Sequence, residues 1–202
     1  MRRILKNQVK NVNTIRQFTP GVVVDEQRRN RLFRRIRDFE TRGLYEESDA
    51  FFASQMEDVS DLGIVRNDRN AIDLHGCDRL SAECVLRYTL RGIARGDFIS
   101  TYSRKLDSTV VTRDLHIITG IGRHSQNGKS VLRPHMSWYL LNAPDPPLAS
   151  HVIQDGGILM VPSSELQRWV WKGANLDPWM DRDVDNGWHV YSQQRRSTGR
   201  GS

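Results

Sequence analysis

The chain has 202 residues, 38% of them hydrophobic, with a formal net charge of +6 and a sequence pI of about 9.7. No apolar run approaches the roughly eighteen residues of a membrane span, and the two cysteines form no Cys/His set with zinc-ligand spacing, so we expect no membrane partner and no zinc site. Arginine dominates the basic residues, which suits phosphate and base contacts in RNA, although a GC-rich genome also enriches arginine.

The first 24 residues carry five basic side chains and no acidic one, with apolar residues between the charges. This composition is typical of an organellar transit peptide, which would place the protein in the mitochondrial matrix or another organelle, and otherwise in the cytoplasm. It is equally typical of a basic arm that lies along RNA phosphates. Both interpretations of residues 1–24 stay open, and a retained arm is compatible with import.

Residues 25–62 have the pattern of an antiparallel helical hairpin that turns at Gly43. Apolar side chains recur on one face of the first helix, and the second helix runs from about Tyr45 to Val59. The arginines of the first helix are Arg28, Arg29, Arg31, Arg34, Arg35 and Arg37. Charge runs of this kind are usually solvated faces. Six arginines with few acids nevertheless favour a phosphate-facing surface, with Arg31, Arg34 and Arg35 as candidate ligands.

Residues 70–162 alternate short apolar segments with stretches of helical periodicity. The predicted elements are a strand at 71–74, a helix at 81–94, a strand at 115–119, a helix at 130–141 and a strand at 158–161. Such alternation predicts the α/β class, here a compact βαβαβ domain whose sheet is covered by helices. Residues 163–202 hold four of the five tryptophans, so we expect a Trp-rich extension that packs back onto the domain or anchors into a partner, disordered from 193 onwards.

Two polar segments follow the first two predicted strands of this domain. The first is Asp73-Leu74-His75-Gly76, and the second begins at Thr119 and is rich in glycine. Ligands bind beyond the carboxyl ends of strands in an open α/β sheet, so we expect both segments at one edge. His75 would take a proton from a ribose hydroxyl or a water, and Asp73 would orient it. The ordinary alternative is a carboxylate that caps a turn beside a structural histidine.

In the second segment, Gly120 and Gly122 would let the backbone come close to a phosphate, and the helix that follows near Ser130 would add N–H groups and its dipole. Two glycines after a strand also occur in simple tight turns. The side chains predicted to add hydrogen bonds or a second imidazole here are Arg123, His124, Ser125, Lys129 and Arg133.

In this order and spacing, the two motifs resemble the Smr (small MutS-related) domain over about residues 70–161. The likeness includes the helix that ends at Trp138-Tyr139-Leu140 and the closing strand. It implies a compact α/β fold similar to the C-terminal domain of a bacterial translation initiation factor, and the DNA nicking or RNA cleavage associated with the family. The family's Leu-Asp-Leu-His segment is linked to cleavage, which points to Asp73 and His75.

The family's glycine motif is linked to substrate binding, which points to Gly120, Gly122 and His124. The bacterial form usually starts this motif with histidine, where this chain has Thr119. A threonine at the first position of this motif is more similar to the eukaryotic members of the family, which are fused to pentatricopeptide repeats.

The sequence therefore favours an RNA-binding subunit, for instance of an organellar ribosome or an RNA-processing assembly. Its partners would be ribosomal or messenger RNA, and proteins held by the N-terminal arm and the Trp-rich extension. The alternative is an RNA endonuclease that uses Asp73 and His75. DNA nicking is less favoured, because no MutS-like ATPase accompanies the domain. We predict no cofactor, and a divalent-metal requirement stays open.

Overall fold

The computed structural model describes residues 25–56, 62–66, 70–96, 111–122, 128–153, 156–174 and 176. Within these ranges the chain folds into five helices and one five-stranded mixed sheet, which confirms the predicted α/β class. The arm at 1–24, most of the loop at 97–113, and Arg123, His124 and Ser125 lie outside the described residues. Predictions for those segments stay predictions.

The structure describes five helices, two of which begin at capping aspartates. The five helices are α1 Glu26–Thr41, α2 Tyr45–Met56, α3 Arg79–Arg95, α4 Leu132–Asn142 and α5 Ser163–Trp171. The Asp25 side chain accepts a hydrogen bond from the N–H of Arg28 and caps α1, and Asp78 caps α3 in the same way. Gly96 ends α3 in the left-handed conformation, which glycine adopts without strain.

The strands are β1 Val65–Arg66, β2 Ala71–Asp73, β3 Leu115–Ile118, β4 His151–Ile153 and β5 Ile158–Val161. Their order in the sheet is β1-β2-β3-β5-β4, with β2 parallel to β3 and the other neighbours antiparallel. β2, β3 and β5 are the strands that the sequence predicted. β1 and β4 were not predicted, because β1 has only two residues and β4, although as long as β2, is mostly exposed.

One hydrophobic core runs through the hairpin, the sheet and the C-terminal helix. It includes Phe52 from α2, Leu90 from α3 and Trp169 from α5, all fully buried. The hairpin is therefore packed onto the α/β elements. Residues 163–171 also belong to this body, so this part of the Trp-rich extension packs back onto the domain, which is one of the two arrangements expected of it. No helix within the described ranges is long and apolar enough to cross a membrane.

Candidate functional site

The carboxyl ends of β2 and β3 bring the two sequence motifs to one edge of the sheet. Asp73 pairs with Ile118 in the parallel register, and the N–H of Leu74 donates to the carbonyl of Ile118 at 2.8 Å. A Cβ built on Gly120 would lie 3.8 Å from the Cβ of His75. The glycine turn and the histidine are therefore in direct proximity, as the sequence predicted.

Asp73 and His75 form a hydrogen-bonded pair at this edge. Oδ1 of Asp73 accepts the backbone N–H of His75 at 3.1 Å and also makes a very short contact with the ring Nδ1. Asp73 is buried, whereas the His75 side chain is 62% exposed. Because Nδ1 is occupied by the carboxylate, Nε2 is the ring nitrogen that remains for a substrate proton.

The surroundings of Asp73 favour its ionised form. Burial alone would raise the pKa of this carboxyl, but the hydrogen bond and charge of His75, together with the charge of Arg29, outweigh burial and lower the pKa below its ordinary value. An ionised Asp73 is the form that accepts a hydrogen bond from Nδ1–H. The pair is therefore arranged for proton transfer at Nε2.

Arg29 is a member of this site that the sequence interpretation missed. We placed it on the arginine face of the first helix, but its side chain points inward and is 7% exposed. Its Nη2 donates to the carbonyl oxygens of Asp73 and His75, each at 2.8 Å. The signal was present in the sequence, because Arg29 shares the apolar face with Leu32, Phe33 and Ile36 at helical spacing.

The glycine turn is held by close packing against the segment before α4. Gly122 has a φ of +84°, and a Cβ there would lie 2.1 Å from the carbonyl carbon of Lys129 and 2.3 Å from the nitrogen of Ser130. No side chain larger than hydrogen fits without moving that backbone. The turn therefore has a defined path up to residue 122, with the exposed Lys129 next to it.

The remaining predicted basic ligands differ in their surroundings. Nη1 of Arg133 donates to the carbonyl of Gly156 at 2.9 Å, so this guanidinium braces the turn before β5. Arg31 and Arg34 are exposed on α1. Arg35 is also exposed, but its guanidinium lies 3.4 Å from the carboxylate of Asp38, whose negative charge weakens the attraction of Arg35 for a phosphate.

A second polar cluster lies between the hairpin and α3. Ligand atoms of Glu40, Asp49 and Cys84 lie within 4.8 Å of one another, a spacing that suits a metal ion. Arg87 already pairs with both carboxylates at 2.6 Å, and Arg91 also pairs with Asp49. These guanidinium groups supply the positive charge that a cation would bring, so we interpret the cluster as a structural ion-pair network.

The chain was compared with protein-family models, with curated proteins and with solved structures, and none of them matches it. The resemblance to the Smr domain therefore rests on the two sequence motifs alone.

Proposed function

We propose that this chain is an Smr-type protein that binds RNA at the edge formed by His75 and the glycine turn. The observation that carries the proposal is the convergence of the two motifs at the ends of the parallel strands β2 and β3. An exposed imidazole beside a glycine backbone offers both a proton-transfer group and a close approach for a phosphate.

The charge distribution supports a phosphate-bearing partner. The exposed α1 side chains Arg31 and Arg34, together with Lys129 beside the turn, add positive charge to a chain whose formal net charge is +6. RNA fits better than DNA, because its single-stranded loops let bases stack on arginine and present a 2′-hydroxyl to His75.

The binding test is fluorescence anisotropy with labelled single-stranded RNA, titrated between about 50 and about 200 mM salt. The double variant Arg31→Ala/Arg34→Ala should lower affinity and reduce the log–log salt slope by about 1.4, since each phosphate contact on a single strand contributes about 0.7. The control is Arg168→Ala/Lys172→Ala at the C-terminal end of α5, which also removes two exposed basic groups, one of them paired with Glu165. Equal effects of the two double variants, or no RNA binding by the wild type, would refute the proposed interface.

If the chain is a subunit of an RNA assembly, the tagged protein should sediment with a large RNA-containing particle in native lysate. Asp73→Ala with His75→Ala should then leave co-migration unchanged, because assembly does not need the acid–base pair. Migration as a small free species would exclude the subunit function.

RNA cleavage is a second candidate, favoured by the Asp73–His75 pair and the exposure of the imidazole. In that reaction Nε2 takes the proton of a ribose 2′-hydroxyl, and the 2′-oxygen attacks the adjacent phosphorus. The bond from phosphorus to the 5′-oxygen of the next nucleotide breaks, and that oxygen takes a proton from water. The products are a 2′,3′-cyclic phosphate and a 5′-hydroxyl.

The cleavage test compares RNA with the same strand carrying one 2′-deoxynucleotide at the cut position. No cleavage should occur at the deoxynucleotide, because its 2′-hydroxyl is absent. His75→Ala should slow cleavage of the all-RNA strand by about 100-fold or more. Persistence of cleavage with either change would reject this mechanism.

A further inference from the structure

We infer that Arg29 is a positioning residue, which reaches from the N-terminal hairpin into the carboxyl edge of the sheet and fixes the imidazole of His75. This inference rests on the proposed function of that edge. It places part of the site outside residues 70–162, in a segment that neither motif includes.

The first support is the geometry of the guanidinium. The two carbonyl groups that accept from Nη2 belong to Asp73 and His75, so Arg29 spans Leu74 and holds both ends of this short segment. Hydrogen bonds from a charged donor are stronger than those between neutral groups. In a buried position they restrict the backbone from which the His75 side chain projects.

The second support is electrostatic. The same Nη2 atom lies 3.8 Å from Oδ1 of Asp73, which is the atom that contacts Nδ1 of His75. The positive charge favours the carboxylate that receives Nδ1–H. His75 and Arg29 both act on Asp73 through charge or hydrogen bonds, and the thiol of Cys77 lies nearby.

The third support is the rigidity of the helix that carries Arg29. Arg29 lies in the first turn of α1, close to the Asp25 cap, and its guanidinium also contacts the ring of Phe33 at 5.4 Å. The carbonyl of Phe33 accepts from the hydroxyl of Ser81 at 3.0 Å, which joins α1 to α3. Because α1 is fixed in the core, the position of its guanidinium is set by packing and does not depend on a bound ligand.

The test uses Arg29→Met, which removes the donors and the charge, and Arg29→Lys, which keeps the charge and loses the planar guanidinium. The control is Ile36→Val, which removes one fully buried methyl group from the same helix without touching the guanidinium. Two NMR readouts are independent of activity: the pKa of the Asp73 carboxyl from its carbon shift, and the His75 Nδ1–H signal.

In the full chain, Arg29→Met should raise the pKa of Asp73 and broaden or shift the Nδ1–H signal. Arg29→Lys should keep the pKa low but still alter that signal, because one ammonium cannot reproduce the fork. If RNA is cleaved, both variants should lower the rate by about 10- to 100-fold through misplacement of the imidazole. Ile36→Val should leave all three readouts at the wild-type values.

The proposed RNA function and the positioning role of Arg29 can fail separately, and the measurements tell the two failures apart. A wild type that neither binds nor cleaves RNA defeats the proposed function, and the NMR readouts then decide the role of Arg29 alone. Wild-type values of both readouts in Arg29→Met overturn the inference. If neither Arg29 variant folds, Arg29 is required for stability and its assignment as a positioning residue is also overturned.

Discussion

At the scale of single residues, the site depends on positions where adding a methyl group or removing a charge would displace the backbone or the side chain of His75. Gly122 is such a position, because its α-hydrogen faces the peptide that joins Lys129 to Ser130. Asp73 is another, since its Oδ1 contacts both the main chain and the ring of His75. Each position leads to a test with a close control.

Gly122→Ala should destabilise the protein and weaken RNA binding, because the added methyl cannot fit beside the backbone of residues 129 and 130. Gly128→Ala is the control, since Gly128 also has a positive φ, of +61°, but has nothing within 4 Å of the added Cβ. Urea unfolding should show a loss of about 1 kcal/mol for the control, from the left-handed conformation alone, and a larger loss for Gly122→Ala. Equal losses would contradict the close approach.

Asp73→Asn should lower the free energy of unfolding at neutral pH, and this loss should be smaller at acidic pH. The folded pKa of Asp73 lies below its ordinary value of 3.8, so its contribution is present above that value and is lost as the pH falls through the folded pKa. Urea unfolding of wild type and variant at neutral pH and near pH 3 measures the difference. A difference that stays constant with pH would show that the ionised carboxylate does not stabilise the fold.

At the scale of elements, the hairpin is joined to α3 by charge as well as by apolar packing. Arg87 on α3 reaches Glu40 at the end of α1 and Asp49 on α2, and its side chain is only 5% exposed. Burial raises the pKa of Glu40 above its ordinary value, although the charge of Arg87 opposes this. The network therefore fixes how the hairpin, and with it Arg29, lies on the sheet.

Arg87→Met should destabilise the protein by about 3 to 5 kcal/mol, because two carboxylates lose their buried partner. Arg91→Met should cost less, since Arg91 is 25% exposed and Asp49 keeps Arg87. Without Arg87 the pKa of Glu40 rises further, so Glu40 takes up a proton more readily in the variant. The loss in free energy of unfolding caused by Arg87→Met should therefore be smaller at about pH 5 than at neutral pH. Urea unfolding at both pH values is the measurement, and equal losses in the two variants would refute the assigned roles.

At the scale of the whole molecule, α5 closes the core from the C-terminal side. Leu166 and Trp169 are fully buried, while Trp171 is 71% exposed. The side chain of Gln167 accepts the N–H of Val111 at 2.5 Å, and Asp114 accepts the N–H of Ser163 at 2.7 Å, so α5 is also tied to the segment that leads into β3. The two tryptophans of this helix therefore have different roles.

Trp169→Ala should cost about 3 to 5 kcal/mol, because it leaves a large cavity in the core, and Trp171→Ala should change stability by less than about 0.5 kcal/mol. Thermal or urea unfolding of the two variants measures this contrast. As a second comparison, a chain that ends at residue 162, without α5, should lose the cooperative unfolding of the full chain. A cooperative transition in the shorter chain would show that α5 is dispensable.

The sequence predicted the α/β class, both hairpin helices and three of the strands because these elements are long or strongly patterned. It also placed Asp73, His75 and Gly120 at one edge, since that follows from parallel strands alone. Arg29 could not be assigned in this way. Its spacing with Leu32, Phe33 and Ile36 indicates burial, but the partners of its guanidinium lie 44 and 46 residues away, where local spacing cannot identify them.

The other differences have related causes. β4 exposes His151 and Val152, so its three residues show neither the buried apolar run nor the alternation that marks a strand. α5 was concealed by a polar, Trp-rich composition, although Leu166 and Trp169 are one helical turn apart. In each case, tertiary packing decided what local sequence could not.

The long spacing between the parts of the His75 edge sets the order in which it assembles during synthesis. α1 and α2 leave the ribosome first, but Arg29 has no carbonyl to hold until residues 73 and 75 follow. The N–H groups of Thr119 and Gly120 donate to the carbonyl of Gly157, so the glycine turn is incomplete until β5 emerges. A nascent chain that already contains both motifs therefore still lacks the site, and any interaction with RNA through this edge is postponed until Gly157 and β5 have been synthesised.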